Sequence, residues 1–341
     1  MRFPFVRPRR PRINLALQGG GAHGAFTWGV LDALLEDGRL DFDGVSGTSA
    51  GAINAVCLAA GMMDGGYEGA RAALKRFWHG VAETSPFAGN DASGETPTLA
   101  RALRAMLPWA EQFSPEQFNP LDINPLRDLL QQQIDFPRLR RDSRLKLFIA
   151  ATHANSGKLR VFRNHELSVD SLLASACLPT LHHTLEIDGE PYWDGGYSAN
   201  PAVFPLLFEC RADDILLVLL TPLRYAATPV SAQDIRTRLL ELAFNATFLR
   251  EMRMFAHLRE QVGSPRLILG RIERRLKRAK FHAISAESLV QGLPADSKLA
   301  VSRAFFQRLF DDGRTHAVNW LAGHHGAIGQ SSSIDLGQLF Y

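Results

Sequence analysis

The chain has 341 residues, of which 46% are hydrophobic and 21% are charged, and its formal net charge is +3. This composition is typical of a globular protein with one large or two modest domains, and it excludes an intrinsically disordered or fibrous chain. No apolar run approaches the roughly 18 residues of a membrane span, and the first apolar run is too short for a signal peptide, so we expect a cytoplasmic protein with neither segment. Three cysteines without disulfide-like or metal-like spacing predict buried thiols and no metal site.

Basic residues are concentrated in two short segments. Residues 1–12 contain five arginines and no acidic residue, and residues 271–280 carry six basic residues against one glutamate. Such clusters can attract an anionic membrane or a nucleic acid, but no aromatic residues interleave them to stack bases. We therefore favour a disordered basic tail at 1–12 and a solvated face at 271–280, and we expect no nucleic-acid partner. Peripheral contact with an anionic membrane is the alternative.

The chain opens with alternating strand and helix patterns. Residues 13–17 predict a short buried strand, a glycine-rich loop follows at 19–24, and a helix with periodic leucines ends near Gly38. A second strand reaches Val45, and the small, apolar residues at 50–60 predict a second helix. Strands that alternate with helices favour an α/β sandwich built on a largely parallel sheet.

The turn between the second strand and the second helix contains a G-x-S-x-G pentapeptide, Gly47-Thr48-Ser49-Ala50-Gly51. A serine flanked by glycines can occupy a strained strand-to-helix turn that projects its hydroxyl outward, so Ser49 is the candidate nucleophile. The N–H of Ala50, at the positive end of the helix dipole, can stabilise an oxyanion formed beside that serine. The alternative is a Gly/Ser turn that merely caps the helix.

The earlier glycine loop, Gly19-Gly20-Gly21-Ala22-His23-Gly24, matches G-x-G-x-x-G and is followed about 20 residues later by Asp41 and Asp43. A dinucleotide site is therefore an alternative function for this loop. Against it, Asp43 precedes Val45 instead of ending the second strand, and the chain continues directly into the Ser49 turn. The same backbone N–H groups can instead cradle the anion that an acyl-transfer enzyme forms beside its serine.

The middle of the chain interrupts the regular alternation. Residues 80–125 are rich in proline and predict a long irregular connection, which we interpret either as a mobile lid over an apolar cleft or as a surface loop held by its aromatic residues. Further strands are predicted at 145–152, 159–162 and 215–221. These strands continue the sheet that the first two begin.

The pattern changes again near residue 223. We divide the chain into a catalytic domain at 13–222 and a helical region at 223–341 that packs on it. The helix at 234–262 carries apolar residues at steps of three and four, which predict a face packed on the core and only as an alternative a face on a membrane. These residues are Ile235, Leu239, Leu242, Leu249, Met252, Phe255 and Leu258.

A serine nucleophile needs a base, and five histidines stand late enough in the chain for the usual order of serine hydrolases. They are His257, His282, His316, His324 and His325. None of them lies in a strand-end turn with glycine, and His324-His325 lies in a polar tail, whereas Asp194 is followed by Gly195 and Gly196, which permit a tight turn. If the site is partly desolvated, burial raises the pKa of this carboxyl, so that it can accept the serine proton. The alternative is an ordinary Asp-Gly turn.

Taken together, these motifs resemble the patatin-like phospholipase family over roughly residues 13–222. The resemblance rests on four segments: Gly19–Gly24, Gly47–Gly51, Asp194-Gly195-Gly196 with the following Asn200-Pro201, and Ala174–Pro179. It implies a three-layer α/β/α sandwich with a mostly parallel central sheet. It also implies a Ser–Asp dyad without histidine, in which Ser49 is the nucleophile and Asp194 is the general base. The oxyanion hole would be formed by Gly19, Gly20, Gly21 and Ala22, with Ala50.

Members of this family hydrolyse acyl esters of phospholipids, lysophospholipids and neutral lipids, most of them without a metal. The resemblance therefore implies a lipid ester as the partner and no cofactor. His23 stands where many members have Arg or Lys, so it could act as a cation near pH 6, donate a hydrogen bond as a neutral ring, or simply pack. A dinucleotide-binding oxidoreductase and a non-catalytic lipid-binding protein are the alternative functions. The sequence indicates no oligomeric state.

Overall fold

The computed structural model describes residues 10–84, 115, 119, 122–225, 227–262 and 270–341. Its described part contains an eight-stranded sheet with the order β5-β6-β3-β2-β1-β7-β8, and β4 also pairs with β3. The strands are β1 (Arg12–Leu17), β2 (Asp41–Thr48), β3 (Lys146–His153), β4 (Leu159–Arg163), β5 (Leu185–Ile187), β6 (Glu190–Asp194), β7 (Asp214–Leu219) and β8 (Lys280–Ser285).

Helices cover both faces of this sheet. They are α1 (Gly24–Asp37), α2 (Ala50–Thr84), α3 (Pro125–Gln133), α4 (Phe136–Asp142), α5 (Val169–Ser175), α6 (Phe204–Glu209), α7 (Ala232–Val262), α8 (Arg271–Arg278), α9 (Glu287–Val290), α10 (Arg303–His324) and α11 (Leu336–Phe340). Helix α2 has a kink at Gly65 and Gly66, whose backbone angles are not helical. In the described ranges, none of these helices combines the length and the apolar character needed to cross a membrane.

The sheet separates two hydrophobic cores, because successive residues of a strand point to opposite faces. On β1, Leu15 packs in the core beneath α1, α2 and α10, whereas Ala16 packs in the core beneath α6, α7 and α8. The strands at the centre of the sheet are buried on both faces, as expected for parallel strands covered by helices. The predicted three-layer α/β/α sandwich is confirmed.

Parallel pairing sets the position of the predicted motifs. Strand β1 pairs in parallel with β2 and β7, and β2 pairs in parallel with β3. The carboxyl ends of β1 and β2 therefore lie at the same edge of the sheet, and the glycine loop and the Ser49 turn follow these two ends. Ligand sites of open α/β sheets commonly lie at this edge.

The structure differs from the predicted boundaries at three places. Strand β8 lies in the region that we expected to be helical and extends the sheet beside β7; with six residues next to a run of charges, it left only a weak signal in the sequence. Helix α2 continues to Thr84, so the first residues of the predicted 80–125 connection are helical. Strand β1 already begins at Arg12. Residues 1–9 of the predicted tail and most of 85–121 lie outside the described residues.

The long helix α7 contradicts the prediction that one apolar face packs on the core. Met252 and Phe255 are buried, but Ile235, Leu239, Leu242 and Leu258 are exposed. The reason is that the carboxyl-terminal part of α7 packs against α11 and α8, whereas no helix among the described residues covers the outer side of its amino-terminal part, whose Phe244 packs on the 3₁₀ turn Gly195–Tyr197. The apolar residues do recur at helical spacing, but those that the described part of the fold buries all lie in the carboxyl-terminal half of the helix.

Candidate active site

Ser49 occupies a strained turn between β2 and α2. Its φ angle is 53°, in the left-handed region that residues with side chains rarely adopt. The glycines on either side are required by close packing, because a Cβ on Gly47 would lie 2.5 Å from the carbonyl oxygen of Gly51, and a Cβ on Gly51 would overlap the carbonyl oxygen of Leu17. The turn therefore has the geometry of a nucleophile elbow. It is fixed from outside by the Ser49 N–H, which donates to Ser175 Oγ at 2.9 Å.

The sheet register brings Asp194 next to this turn. On one edge of β3, Thr48 of β2 pairs with Ala150, and Asp194 of β6 pairs with the next residue, Ala151. Both β2 and β6 must lie on the same side of β3, because β4 occupies the other side along these residues. The end of β2 thus meets the end of β6, and the Ser49 side chain lies close enough to the Asp194 carboxylate to favour its charged form.

The Asp194 carboxylate is almost completely buried, with 2% of the residue exposed. Its Oδ1 accepts the N–H of Gly196 at 2.7 Å. Burial raises the pKa of Asp194 to about 7, because the charged form loses its hydration, while the hydrogen bonds from Gly196 and Ser49 act in the opposite direction. A carboxylate with this pKa can hold or release a proton near neutral pH.

Gly195 and Gly196 make this arrangement possible. A Cβ on Gly195 would overlap the carbonyl oxygen of Ala150, and a Cβ on Gly196 would overlap the ring of Phe244 on α7. The two glycines thus let the turn after β6 lie directly against β3 on one side and α7 on the other. The Asp-Gly-Gly sequence is explained by packing that positions and buries the carboxylate of Asp194.

The glycine loop touches the Ser49 turn at Gly19. A Cβ on Gly19 would lie 2.7 Å from the carbonyl oxygen of Thr48 and 2.9 Å from Cβ of Ser49. The N–H of Gly19 donates to Asn200 Oδ1 at 2.7 Å, so this N–H already has an acceptor. Gly19 was predicted as an oxyanion donor, but its N–H is already engaged. Its lack of a side chain instead lets the loop approach the serine.

Further along the loop, the N–H groups are available. No acceptor among the described residues takes the N–H of Gly20 or Gly21, or that of Ala50 at the start of α2. Gly21 has a φ angle of 57°, and the carbonyl of Lys298 leaves no room for a side chain there. Ala22 is buried in the 3₁₀ turn Gly21–His23. Gly24 allows the loop to contact α2, because its Cβ would lie 2.6 Å from Cβ of Ala50.

His23 is a buried neutral ring. Burial, and secondarily the charge of Lys298, lower its pKa to about 4. Its Nε2 lies 2.8 Å from Ser297 Oγ, and its ring meets Phe305 edge to face at a centroid distance of 6.3 Å. At pH 6 the imidazole is therefore uncharged, and His23 supplies no fixed positive charge beside the glycine loop.

Histidine bases and a dinucleotide site both fit the structure poorly. His282 is hydrogen-bonded to Asp214 at 3.1 Å. Asp214 begins β7 and pairs with Ile13 of β1, and Ile13 in turn pairs with Phe42 near the start of β2. At the rise of a β-strand, that position is about 20 Å from the Ser49 turn. Asp43, the acidic residue of the dinucleotide alternative, is buried and accepts the N–H groups of Arg211 and Ala212.

Three polar residues that support the site were not predicted individually. Ser175 and Asn200 fix the Ser49 turn and Gly19, and both lie in segments that carry the family resemblance. Gln18 precedes the glycine loop; its Oε1 accepts the N–H groups of Leu220 and Thr221, at 2.7 and 3.0 Å. Only the segments of Ser175 and Asn200 gave a signal in the sequence, since the contacts themselves join residues more than 120 positions apart.

Comparison with solved structures finds distant similarity. VipD from Legionella pneumophila is 16% identical with a TM-score of 0.44, and the match covers 93% of this chain and 67% of that one. A chain of the heterodimeric ExoU–SpcU complex from the type III secretion system of Pseudomonas aeruginosa is 15% identical with a TM-score of 0.32, and the match covers 98% of this chain and 58% of that one. Comparison with curated protein sequences finds no match.

A family model gives a clearer result. The patatin-like phospholipase model matches residues 15–207, which is more than half of the chain. The matched segment begins within β1, includes the glycine loop and the Ser49 turn, and extends past Asp194 and Asn200. All the elements that bring Ser49 and Asp194 together thus fall inside it. The chain belongs to the patatin-like phospholipase family.

Proposed function

We propose that the protein is a serine acyl hydrolase that cleaves carboxylic esters of lipids through Ser49 and Asp194. The observation that carries the proposal is that neighbouring register positions on β3 bring a serine in a strained elbow beside a buried carboxylate whose pKa is about 7. Such a carboxylate is basic enough to take a hydroxyl proton during attack and acidic enough to return it. Family membership supports the coarser conclusion that the enzyme hydrolyses lipids.

In the first step, Ser49 Oγ attacks the carbonyl carbon of the ester, and its proton passes to Asp194. The carbonyl oxygen becomes an oxyanion, which we assign to the N–H groups of Gly20, Gly21 and Ala50, because these donors lack an acceptor in the described part of the chain. When the intermediate collapses, the carbon–oxygen bond to the alcohol breaks, and the alcohol takes the proton from Asp194. The acyl group remains on Ser49.

The second step reverses these roles with water. Asp194 accepts a proton from a water molecule that attacks the acyl carbon, and the same N–H groups hold the oxyanion. Collapse releases a carboxylic acid and returns the proton from Asp194 to Ser49 Oγ. In this scheme protons pass only among Ser49, Asp194, the leaving alcohol and the attacking water, and the backbone N–H groups hold the oxyanion without giving up their protons. Removing one oxyanion donor in enzymes of this kind typically reduces the rate by about 10²–10³-fold.

A fluorophosphonate probe tests the proposal directly. Wild-type protein should gain the mass of the probe on the peptide that contains Ser49, because a fluorophosphonate reacts only with an activated serine. Ser49→Ala should gain none, and Asp194→Asn should react far more slowly because its amide cannot accept the proton. Ser46→Ala is the matched control, since Ser46 is a completely buried serine of β2, the strand that precedes the Ser49 turn. A folded wild-type protein that stays unlabelled would contradict the proposal.

A further inference from the structure

One face of α7 carries an apolar stripe that the described part of the fold leaves exposed. Ile235, Leu239 and Leu242 follow one another at steps of four and three and are 42%, 60% and 52% exposed, and Ala246 continues the stripe one turn later. Val230, just before the helix, is 92% exposed. Contiguous exposed apolar surface of this kind is unusual on a globular protein unless a partner covers it.

The same stripe changes character in the second half of the helix. Continuing at steps of four, three and four, it presents Arg250, Arg253 and His257, all of them exposed. We call the whole line from Ile235 to His257 the outer stripe of α7. Its first half is aliphatic and its second half is basic, so one stripe of the helix offers both apolar side chains for acyl chains and cations for anionic headgroups.

Acidic groups near the outer stripe only partly offset this charge, and the one that continues the stripe, Glu260, is exposed three residues beyond His257. Glu241 lies on another face of α7 and is engaged by Arg238 at 3.3 Å and by Lys298 at 3.5 Å. Asp234 is exposed at the start of the helix, where its carboxylate accepts the Ser231 hydroxyl and its N–H donates to Ser231 Oγ. The exposed arginines of the stripe therefore keep a positive charge that complements anionic headgroups.

Helix α7 also forms part of the wall of the candidate active site. Its Phe244 packs on Gly196, the residue whose N–H binds Asp194, and its ring meets that of Tyr197 at a centroid distance of 4.5 Å. The adjacent Asn245 accepts a hydrogen bond from Gln18, the residue before the glycine loop, at 3.5 Å. The exposed leucines thus stand on the helix that covers the turn carrying the carboxylate.

We propose that the outer stripe of α7 binds the surface of an anionic phospholipid membrane, with its aliphatic half inserted among the acyl chains and its arginines at the phosphates. This inference rests on the proposed function, because it supplies the lipid surface from which the Ser49 site takes its ester. It assigns membrane contact to α7 and not to the two basic segments, 1–12 and 271–280, that the sequence singles out.

Cosedimentation with lipid vesicles tests the inference. The full-length protein should bind vesicles of phosphatidylcholine and phosphatidylserine more tightly than vesicles of phosphatidylcholine alone. The double variant Leu239→Glu/Leu242→Glu should lose about tenfold in partitioning for each leucine, since burying one such side chain contributes at least that factor. Val318→Glu is the matched control, because Val318 is 51% exposed on α10 and should leave binding unchanged. The double variant Arg250→Gln/Arg253→Gln should lose the preference for vesicles that contain phosphatidylserine, while its binding to vesicles of phosphatidylcholine stays unchanged.

Hydrolysis of a soluble short-chain nitrophenyl ester separates this inference from the proposed function. The leucine variant should hydrolyse that ester at the wild-type rate while losing activity on vesicles, which supports the inference. Equal vesicle binding by the wild type and the leucine variant would overturn it and leave the proposed function intact. A wild type that self-associates in solution through these leucines would assign the stripe to a second copy of the chain and also overturn it. Vesicle binding without hydrolysis of any ester would overturn the proposed function instead.

Discussion

Replacing Asp194 with asparagine should abolish hydrolysis and at the same time stabilise the protein. The side chain keeps its size and can still accept the N–H of Gly196, but it no longer carries a charge that burial disfavours. The pKa of Asp194 rises from 3.8 to about 7 in the folded protein. This difference corresponds to about 4 kcal/mol of folding free energy that the ionised carboxylate costs above pH 7, as an upper value.

The direction in which stability changes with pH follows from proton binding. Between pH 4 and pH 7 the folded protein binds the Asp194 proton more tightly than the unfolded chain does, so stability is lost as the pH rises through this range. The asparagine variant lacks that loss. Its stability advantage over the wild type should therefore be about 4 kcal/mol at pH 8 and only about 1.5 kcal/mol at pH 5. Glu251, whose pKa burial also raises to about 7, contributes equally to both proteins and cancels.

Urea denaturation of both proteins at pH 5 and pH 8 measures this difference, with hydrolysis of a nitrophenyl ester as the activity assay. Ser49→Ala serves as the control, because it removes activity without removing the buried charge, and its stability should follow the pH dependence of the wild type. An asparagine variant that is no more stable than the wild type at pH 8 would refute the reasoning. So would a stability difference that does not change with pH.

Three other predictions concern the same site. The kcat/KM for a soluble ester should rise with pH through about 7, because the buried carboxylate must be ionised to accept a proton; a flat profile from pH 5 to pH 9 would contradict this. Gly19→Ala should lower kcat at least about 100-fold, because the new Cβ would displace Ser49, whereas Gly323→Ala, with no atom within 4 Å, should have no effect. Asn200→Ala should cost about 1–3 kcal/mol of stability in urea titrations, because it leaves the buried Gly19 N–H without its acceptor, and an unchanged midpoint would count against that bond.

Local patterns made the fold and the two main candidates predictable. The alternation of buried strands and glycine loops indicates the sandwich, and parallel strands place the loop after β1 beside the turn after β2. Asp194 was harder to place, because its position depends on β6 running antiparallel to β3. That pairing was not predicted from the sequence; the tight turn permitted by Gly195 and Gly196, together with the family resemblance of this motif, indicated the residue.

Long-range contacts account for what the sequence did not predict. The neutral state of His23 depends on burial next to Ser297, which is 274 positions away in the chain. The use of the Gly19 N–H by Asn200 depends on a contact across 181 positions. The exposed half of α7 has the same periodicity as its buried half, so periodicity alone cannot show how far the neighbouring helices extend.

The pairing of two consecutive β3 residues, Ala150 with Thr48 and Ala151 with Asp194, has a consequence for engineering. The register between the candidate nucleophile and the candidate base is set inside the core by one strand, β3, which pairs with both β2 and β6. A change in the length of the chain between α2 and α3 should therefore leave the candidate dyad aligned. An insertion of one residue within β3 itself would shift the two partners apart, and no change elsewhere in the chain would realign them.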